Sequence, residues 1–257
     1  MNHPLIECND IIKIYPGAIK GLNVAALRGI TLHINESDFI CIIGPSGSGK
    51  STFIRLLGGL DKPSSGELFF RGNLLNTYSD KQLENYRQNI GFLYQLPEKN
   101  LLPNLTLLQN VMLPMLIASK FRGQEKVHAH DLLAKVGLRE KENRKPNEIS
   151  GGEAQRAGIA VALACEPVIL LADEPTGEID TENTLKIITY LKQLNQELKT
   201  TIVVVTHDKH FIRASNVTYN LIDGKLIHLN RDENDRTEKS QSVVAGSSGN
   251  IQLPEGS

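Results

Sequence analysis

The chain of 257 residues is short of three things, and each shortage closes off a class of function. It has only three cysteines, Cys8, Cys41 and Cys165, with no C-x-x-C spacing among them. That pattern offers neither a disulfide framework nor a zinc site, and suits reduced thiols, two of them as core filler. It also lacks an excess of either charge: 28 Lys+Arg against 29 Asp+Glu leave a formal net charge of -1. Nucleic-acid binding is dominated by phosphate neutralisation, so no basic groove for DNA or RNA is expected. Finally, no apolar run approaches the roughly 20 residues of a membrane span. The opening MNHPLIECND has neither a basic n-region nor an apolar h-region, so no secretory leader is expected. Any membrane role is therefore expected to come through a partner.

What is present reads as strand alternating with helix. Short β-type patterns at Leu5-Ile6, Ile11-Ile12 and Ile30 to Ile34 precede Phe39 to Ile43, a continuous apolar run that fits a strand buried on both faces. Phe53, Ile54, Leu56, Leu57 and Leu60 then keep helical spacing, with a stop near Gly58-Gly59 and a turn over Lys62 to Gly66. From about 96 to 158 helical pattern prevails, as an inserted helical subdomain. Leu107, Leu108, Val111, Met112, Met115 and Leu116 form one apolar face there, on a helix that Pro114 should bend. A second helix runs from about Gln124 to Val136, with Gly137 at its end. Val168 to Ala172 and Ile202 to Val205 are again buried-strand runs. From about Arg231 the chain turns polar and aromatic-free. A domain over 1–232 is expected, followed by a disordered tail over 233–257.

Between the first buried strand and its helix lies Gly44-Pro45-Ser46-Gly47-Ser48-Gly49-Lys50-Ser51-Thr52. It satisfies GxxxxGK[ST], and the strand before and helix after are what phosphate binding requires. The glycines let the amides of Ser46 to Ser51 turn inward around a β-phosphate, helped by the positive helix end. Lys50 is expected to bridge β- and γ-phosphates, Ser51 to ligate Mg²⁺, and Thr52 to reach the α-phosphate.

The run ending in Asp173-Glu174 places two acids at a strand's carboxyl end, where open α/β sheets bind ligands. Asp173 is expected in the Mg²⁺ shell and Glu174 as general base for an attacking water. His207 follows the next buried run and is expected to donate to the γ-phosphate. The His128/His130 pair has no third ligand at zinc-like spacing and reads as solvated helix positions.

At SGGEAQR, Ser150 to Arg156, the chain resembles the ATP-binding-cassette (ABC) ATPases, over about residues 4 to 230. The resemblance implies an α/β fold: a P-loop NTPase (RecA-like) core with an antiparallel β subdomain and the inserted helical subdomain. It implies ATP and Mg²⁺ as cofactors. Tyr15 matches the aromatic that stacks on adenine, and Gln95 the glutamine linking the Mg²⁺ site to the helical subdomain. Asp180 matches the acid of the loop Gly177-Glu178-Ile179-Asp180. Ser150-Gly151-Gly152-Glu153 would close on the γ-phosphate held by a second ATPase subunit, so a homodimer sandwiching two ATP molecules is implied.

LLGGLDKPSSGEL, NLLPNLTLLQNVMLP and ADEPTGEID resemble the LolD/MacB group, which includes FtsE. That likeness implies integral membrane partners, a peripheral place on the cytoplasmic face of the membrane, and ATP-driven mechanical work. An FtsE-like regulatory role remains the alternative. Val161, Glu178-Ile179 and Ala154 depart from the group's usual residues. A DNA-repair or chromosome ABC machine needs a coiled coil between Gln95 and Ser150, and only 55 positions (150 − 95) separate them.

Overall fold

The structure is a computed structural model that describes residues 3–17, 23–177 and 180–229. The tail expected over 233–257, and Glu178-Ile179 of the acid loop, lie outside the described residues.

Two sheets are built in chain order. β1 (Ile6–Pro16) and β2 (Asn23–Ile34) pair antiparallel and precede β3 (Phe39–Ile43), which leads into α1 (Lys50–Leu57). β4 (Ser65–Phe70) and β5 (Asn73–Leu74) form a hairpin, followed by α2 (Asp80–Arg87) and β6 (Ile90–Leu93). Three helices come next: α3 (Leu107–Ile117), α4 (Glu125–Lys135) and α5 (Gly151–Leu163). Then follow β7 (Ile169–Asp173), α6 (Thr181–Leu198), β8 (Thr201–Thr206), α7 (His210–Ala214), β9 (Val217–Ile222) and β10 (Lys225–Leu229).

The first sheet is antiparallel, ordered β2-β1-β4-β5. The second is ordered β10-β9-β3-β8-β7-β6, and all its pairs are parallel except β10 with β9. Its inner strands are buried on both faces, as their unbroken apolar runs predict.

Because successive side chains point to opposite faces, each inner strand serves two cores. Cys41, Leu170, Ala172, Ile202 and Val204 pack with α3, α4, α5 and α6. Ile40, Ile42, Ile169, Leu171, Val203 and Val205 pack with α1 and the antiparallel sheet, through Phe53, Ile54, Ile6 and Leu27. Cys8 and Cys41 are buried, and burial pushes the Cys41 thiol up to about 12, so both are core filler.

The helical insertion is where sequence reading needed adjustment. α3 contains Pro114 within its range, and α5 runs on to Leu163, past the expected limit at 158. Thr106 caps α3 through a reciprocal box with Gln109. Leu107, Leu108, Val111 and Met115 are buried as expected, but Leu116 is 53% exposed and Ile117 is 76% exposed. The apolar face of α3 is therefore narrower than expected, and its last turn points apolar groups outward.

The two histidines of α4 are partly buried and have partners on other segments. His128 stacks on Phe121 with ring centroids 4.3 Å apart, and His130 Nδ1 lies 2.5 Å from Glu142 Oε2. They are packing groups, and no cluster of His, Cys, Asp or Glu suited to a metal occurs among the described residues.

Candidate active site

The carboxyl ends of β3, β8 and β7 lie side by side, in register at Ile43 with Thr206 and at Asp173 with Val205. Whatever follows these strands is thus brought to one edge of the sheet.

After β3 the chain makes the loop Gly44 to Gly49. Gly49, the N-cap of α1, has φ +104°, and a Cβ there would stand 2.4 Å from the Ala26 carbonyl oxygen. Only glycine allows the loop to close that tightly on β2. Over it opens a cavity of about 750 Å³, walled by Ser46, Gly47, Gly49, Lys50, Ser51 and Thr52 of the loop and α1. Val24, Ala25 and Ala26 of β2 add a small-residue wall, and Gln95, Glu174 and His207 complete it. The first turn of α1 contributes N–H groups with no intrahelical partner, and the positive helix end. Gly44, Pro45 and Ser48 do not line the cavity but support it: Lys50 Nζ donates to the carbonyls of Gly44 and Pro45 at 2.8 and 3.1 Å. Ser48 is buried.

Lys50 is 7% exposed, and its ammonium also lies 3.4 Å from Glu174 Oε1. The other Glu174 oxygen accepts from the His207 N–H at 3.2 Å and lies 2.8 Å from His207 Nδ1. Glu174 holds this place at φ +49°, an uncommon conformation for glutamate, anchored by its N–H donating 2.8 Å to the Val205 carbonyl.

Ser51 Oγ donates to Asp173 Oδ1 at 3.1 Å. Burial, with the Glu174 charge beside it, pushes the Asp173 carboxyl above its ordinary value despite this bond and Lys50. A buried carboxylate held above its normal range gains most from a cation. Ser51, Asp173 and Gln95 supply a hydroxyl, a carboxylate and a carboxamide oxygen, the hard oxygen donors that suit Mg²⁺. Mg²⁺ sites of this kind complete themselves with water and substrate phosphate, so the missing three-acid cluster is no obstacle.

Three expected groups do not line this cavity. Tyr15 does not line it; its hydroxyl donates 2.7 Å to Asp61 Oδ2, and Lys13 Nζ binds the other oxygen at 2.6 Å. Burial pushes Asp61 up, but Lys13, Tyr15 and the Lys62 N–H together hold it below the usual carboxylate range. Asp180 caps α6, its two oxygens taking the N–H and side-chain amide of Asn183 at 2.9 and 2.7 Å. Ser150 to Glu153 open α5 elsewhere. Glu153 is not poised for a ligand: one oxygen accepts from the Ser150 N–H at 3.1 Å and the other from Lys141 at 2.6 Å. It completes the cap of α5.

The two signature glycines differ. A Cβ on Gly151 would meet nothing within 4 Å, whereas one on Gly152 would lie 2.9 Å from Asn183 Cγ. Gly151 is the open face of the helix start, and Gly152 is small because α6 packs there. Gly151 also lines a smaller cavity of about 220 Å³ with Gln95, Gln155 and Thr176. Gln95 thus borders both cavities. Sequence reading missed Val24 to Ala26 and Asp61. The first are small apolar residues with no chemical signal, and Asp61 sits in an ordinary turn.

The family described as "ABC transporter" matches residues 27–177, from β2 to the loop after β7. The chain belongs to that family, and its site is that of an ATP-hydrolysing cassette. Within the family it groups with the LolD ATP-binding subunits. It is 44% identical over 227 residues to the lipoprotein-releasing system ATP-binding protein LolD of Saccharophagus degradans, covering 88% of this chain and 98% of that one. An uncharacterised ABC transporter ATP-binding protein of Thermotoga maritima is 41% identical, covering 88% and 95%. Among solved structures, a dimeric ATP-binding cassette in a post-hydrolysis state bound to ADP and Pi is similar at a TM-score of 0.77 and 39% identity. That match covers 86% of this chain and 96% of the other. The fold class expected from sequence is the fold found.

Proposed function

We propose that this chain is the ATPase of a membrane complex of the lipoprotein-releasing type, working as a homodimer whose two copies share each ATP. The observation that carries the reading is a division within one copy. The triphosphate cavity is lined by the loop after β3 and the ends of β7 and β8, while the open Gly151 lies outside it. A second copy turned head to tail supplies that helix start to the γ-phosphate, with Ser150 and Gly151 as an anion cradle. The solved cassette that this chain resembles is a dimer with ADP and Pi.

Within the shared site, Lys50 and the amides of Ser46 to Ser51 hold the β- and γ-phosphates. Glu174 accepts the proton of the attacking water, and His207 orients the γ-phosphate side. Ser51, Asp173 and Gln95 would hold Mg²⁺. When bound, that ion neutralises the charge that develops on the phosphates. Tyr15 offers its ring to adenine, with its hydroxyl anchored on Asp61. Asp180 holds the start of α6 at the dimer seam. The cassette spans 1–232, with its helical subdomain over about 96–158.

No helix among the described residues is long and apolar enough to cross a membrane. The work is delivered to integral membrane subunits from the cytoplasmic face, and the outward Leu116 and Ile117 supply apolar contact for docking. The relatives named LolD favour this reading over an FtsE-like regulator. Glu174→Gln tests it: the variant should bind ATP, accumulate as a dimer on gel filtration and hydrolyse roughly 10²–10⁴-fold more slowly. A variant that stays monomeric with ATP would remove the shared site.

A further inference from the structure

Both walls of the ATP cavity rest on one two-residue turn that lies outside every motif above. β9 and β10 pair in register up to Ile222 with Lys225, which leaves Asp223 and Gly224 as the turn, at φ +48° and +75°. Two successive positive φ values make a type I′ hairpin turn. The Gly224 N–H donates 3.1 Å to the Ser48 carbonyl, and its own carbonyl accepts from the Arg28 N–H at 2.8 Å. One residue is thus bonded at once to the phosphate loop and to β2.

The closest approaches between these elements are to main-chain atoms. A Cβ on Gly224 would stand 2.8 Å from the Ala26 carbonyl oxygen and 3.1 Å from Leu27 Cα. The Leu221 carbonyl oxygen lies 2.2 Å from where a Cβ of Gly44 would be, and the Ala26 oxygen fills the same space beside Gly49. Loop, β2 and hairpin therefore meet main chain to main chain. Neighbours this close and this rigid cannot yield as a side-chain tip would.

We propose that Gly224 is a positioning residue for the nucleotide, setting the distance between the phosphate-gripping loop and the Val24 to Ala26 wall. The inference rests on the ATP-binding reading of the cavity. The molecule carries its own control in the β4–β5 turn, Arg71-Gly72. There φ is +48° and +77°, but the nearest atoms to a Cβ belong to the His3 side chain, at 3.3 Å.

The test compares Gly224→Asn with Gly72→Asn, because asparagine accepts positive φ at little cost yet brings a Cβ. Gly224→Asn should raise the KM for ATP roughly ten-fold with kcat nearly unchanged, and Gly72→Asn should leave both alone. Hydrogen exchange should quicken over 24–28 and 44–52 in Gly224→Asn, while β7 and β8 exchange as in the parent. A readout needing no variant accompanies it: ATP should slow exchange over 221–229 of the native protein together with 44–52. Native-like ATP affinity in Gly224→Asn would overturn the assignment. So would a native hairpin indifferent to ATP while the loop is protected. Should the native protein not bind ATP at all, the nucleotide reading falls first and this inference with it.

Discussion

The Glu174 carboxylate and the His207 imidazole meet 2.8 Å apart across the ends of two adjacent parallel strands, β7 and β8. With Nδ1 turned to the carboxylate, Nε2 is the ring nitrogen left for the proposed contact with a phosphate. The other Glu174 oxygen faces Lys50. The carboxylate proposed as general base thus lies between the His207 ring and the Lys50 ammonium at the start of α1.

His207→Ala should therefore act through Glu174 as well as on the phosphate. Turnover should fall by roughly 10²-fold, with ATP affinity changed far less. The double variant with Glu174→Gln should be scarcely slower than Glu174→Gln alone, since both remove one unit. Single-turnover hydrolysis measures this, and full additivity would separate the two residues.

Pairing of the copies is best probed at Gly151. Gly151→Asp places a carboxylate on the open start of α5 without touching its own chain. It should leave ATP binding by a single copy intact and prevent dimer formation with the Glu174→Gln background. Gly152→Asp is a poorer probe, because its Cβ strikes Asn183 and disturbs α6 first. Light scattering with and without ATP distinguishes the two.

Asp173 predicts a pH-dependent exchange of stability for function. Its pKa is raised in the folded protein, so the native state binds the proton more tightly than the unfolded one. Stability contributed by this group is present at acid pH and is lost as pH rises past the ordinary carboxylate value to the raised one. Nucleotide-free Asp173→Asn should hence melt at a higher temperature than the parent at pH 7.5, and the gap should close as pH falls. The same variant should lose Mg²⁺-dependent hydrolysis. A lower melting temperature at neutral pH would contradict the assignment of burial as the dominant effect.

If the Tyr15 ring takes adenine as proposed, its bond to Asp61 serves base recognition and not phosphate recognition. Tyr15→Phe and Asp61→Ala should each weaken ATP binding several-fold while leaving inorganic tripolyphosphate unaffected, and the pair should be non-additive. Equal losses for both ligands would show that Asp61 only supports the fold. Calorimetric titration reads both affinities.

Much of this site was legible because its signals are local. Phe39 to Ile43 and Ile202 to Val205 announce themselves as unbroken apolar runs, and the residues just past such strands must share one sheet edge. Asp173, Glu174 and His207 followed from that alone. The contacts that brace the site carry no such signal. Gly224 touches Ser48 and Arg28 through main-chain atoms 176 and 196 positions away (224 − 48 and 224 − 28), and any sequence writes a main chain the same way. Gly152 looked like part of the anion cradle because glycine is silent about why it is small; the α6 side chain beside it supplies the reason. His128 and His130 lie on a helix and in no metal cluster, as expected, but are more covered than expected, since Phe121 and Glu142 lie outside their own helix.

The alternation along β8 has a mechanical consequence. Val203 and Val204 are neighbours in the chain but belong to separate interiors, so the central sheet acts as a bulkhead between two compartments. Close packing makes that partition stiff, so a push on the helical side is passed on through the strands with little give. Gln95, just past the edge strand β6, faces the nucleotide cavity on one side and the hollow beside Gly151 on the other.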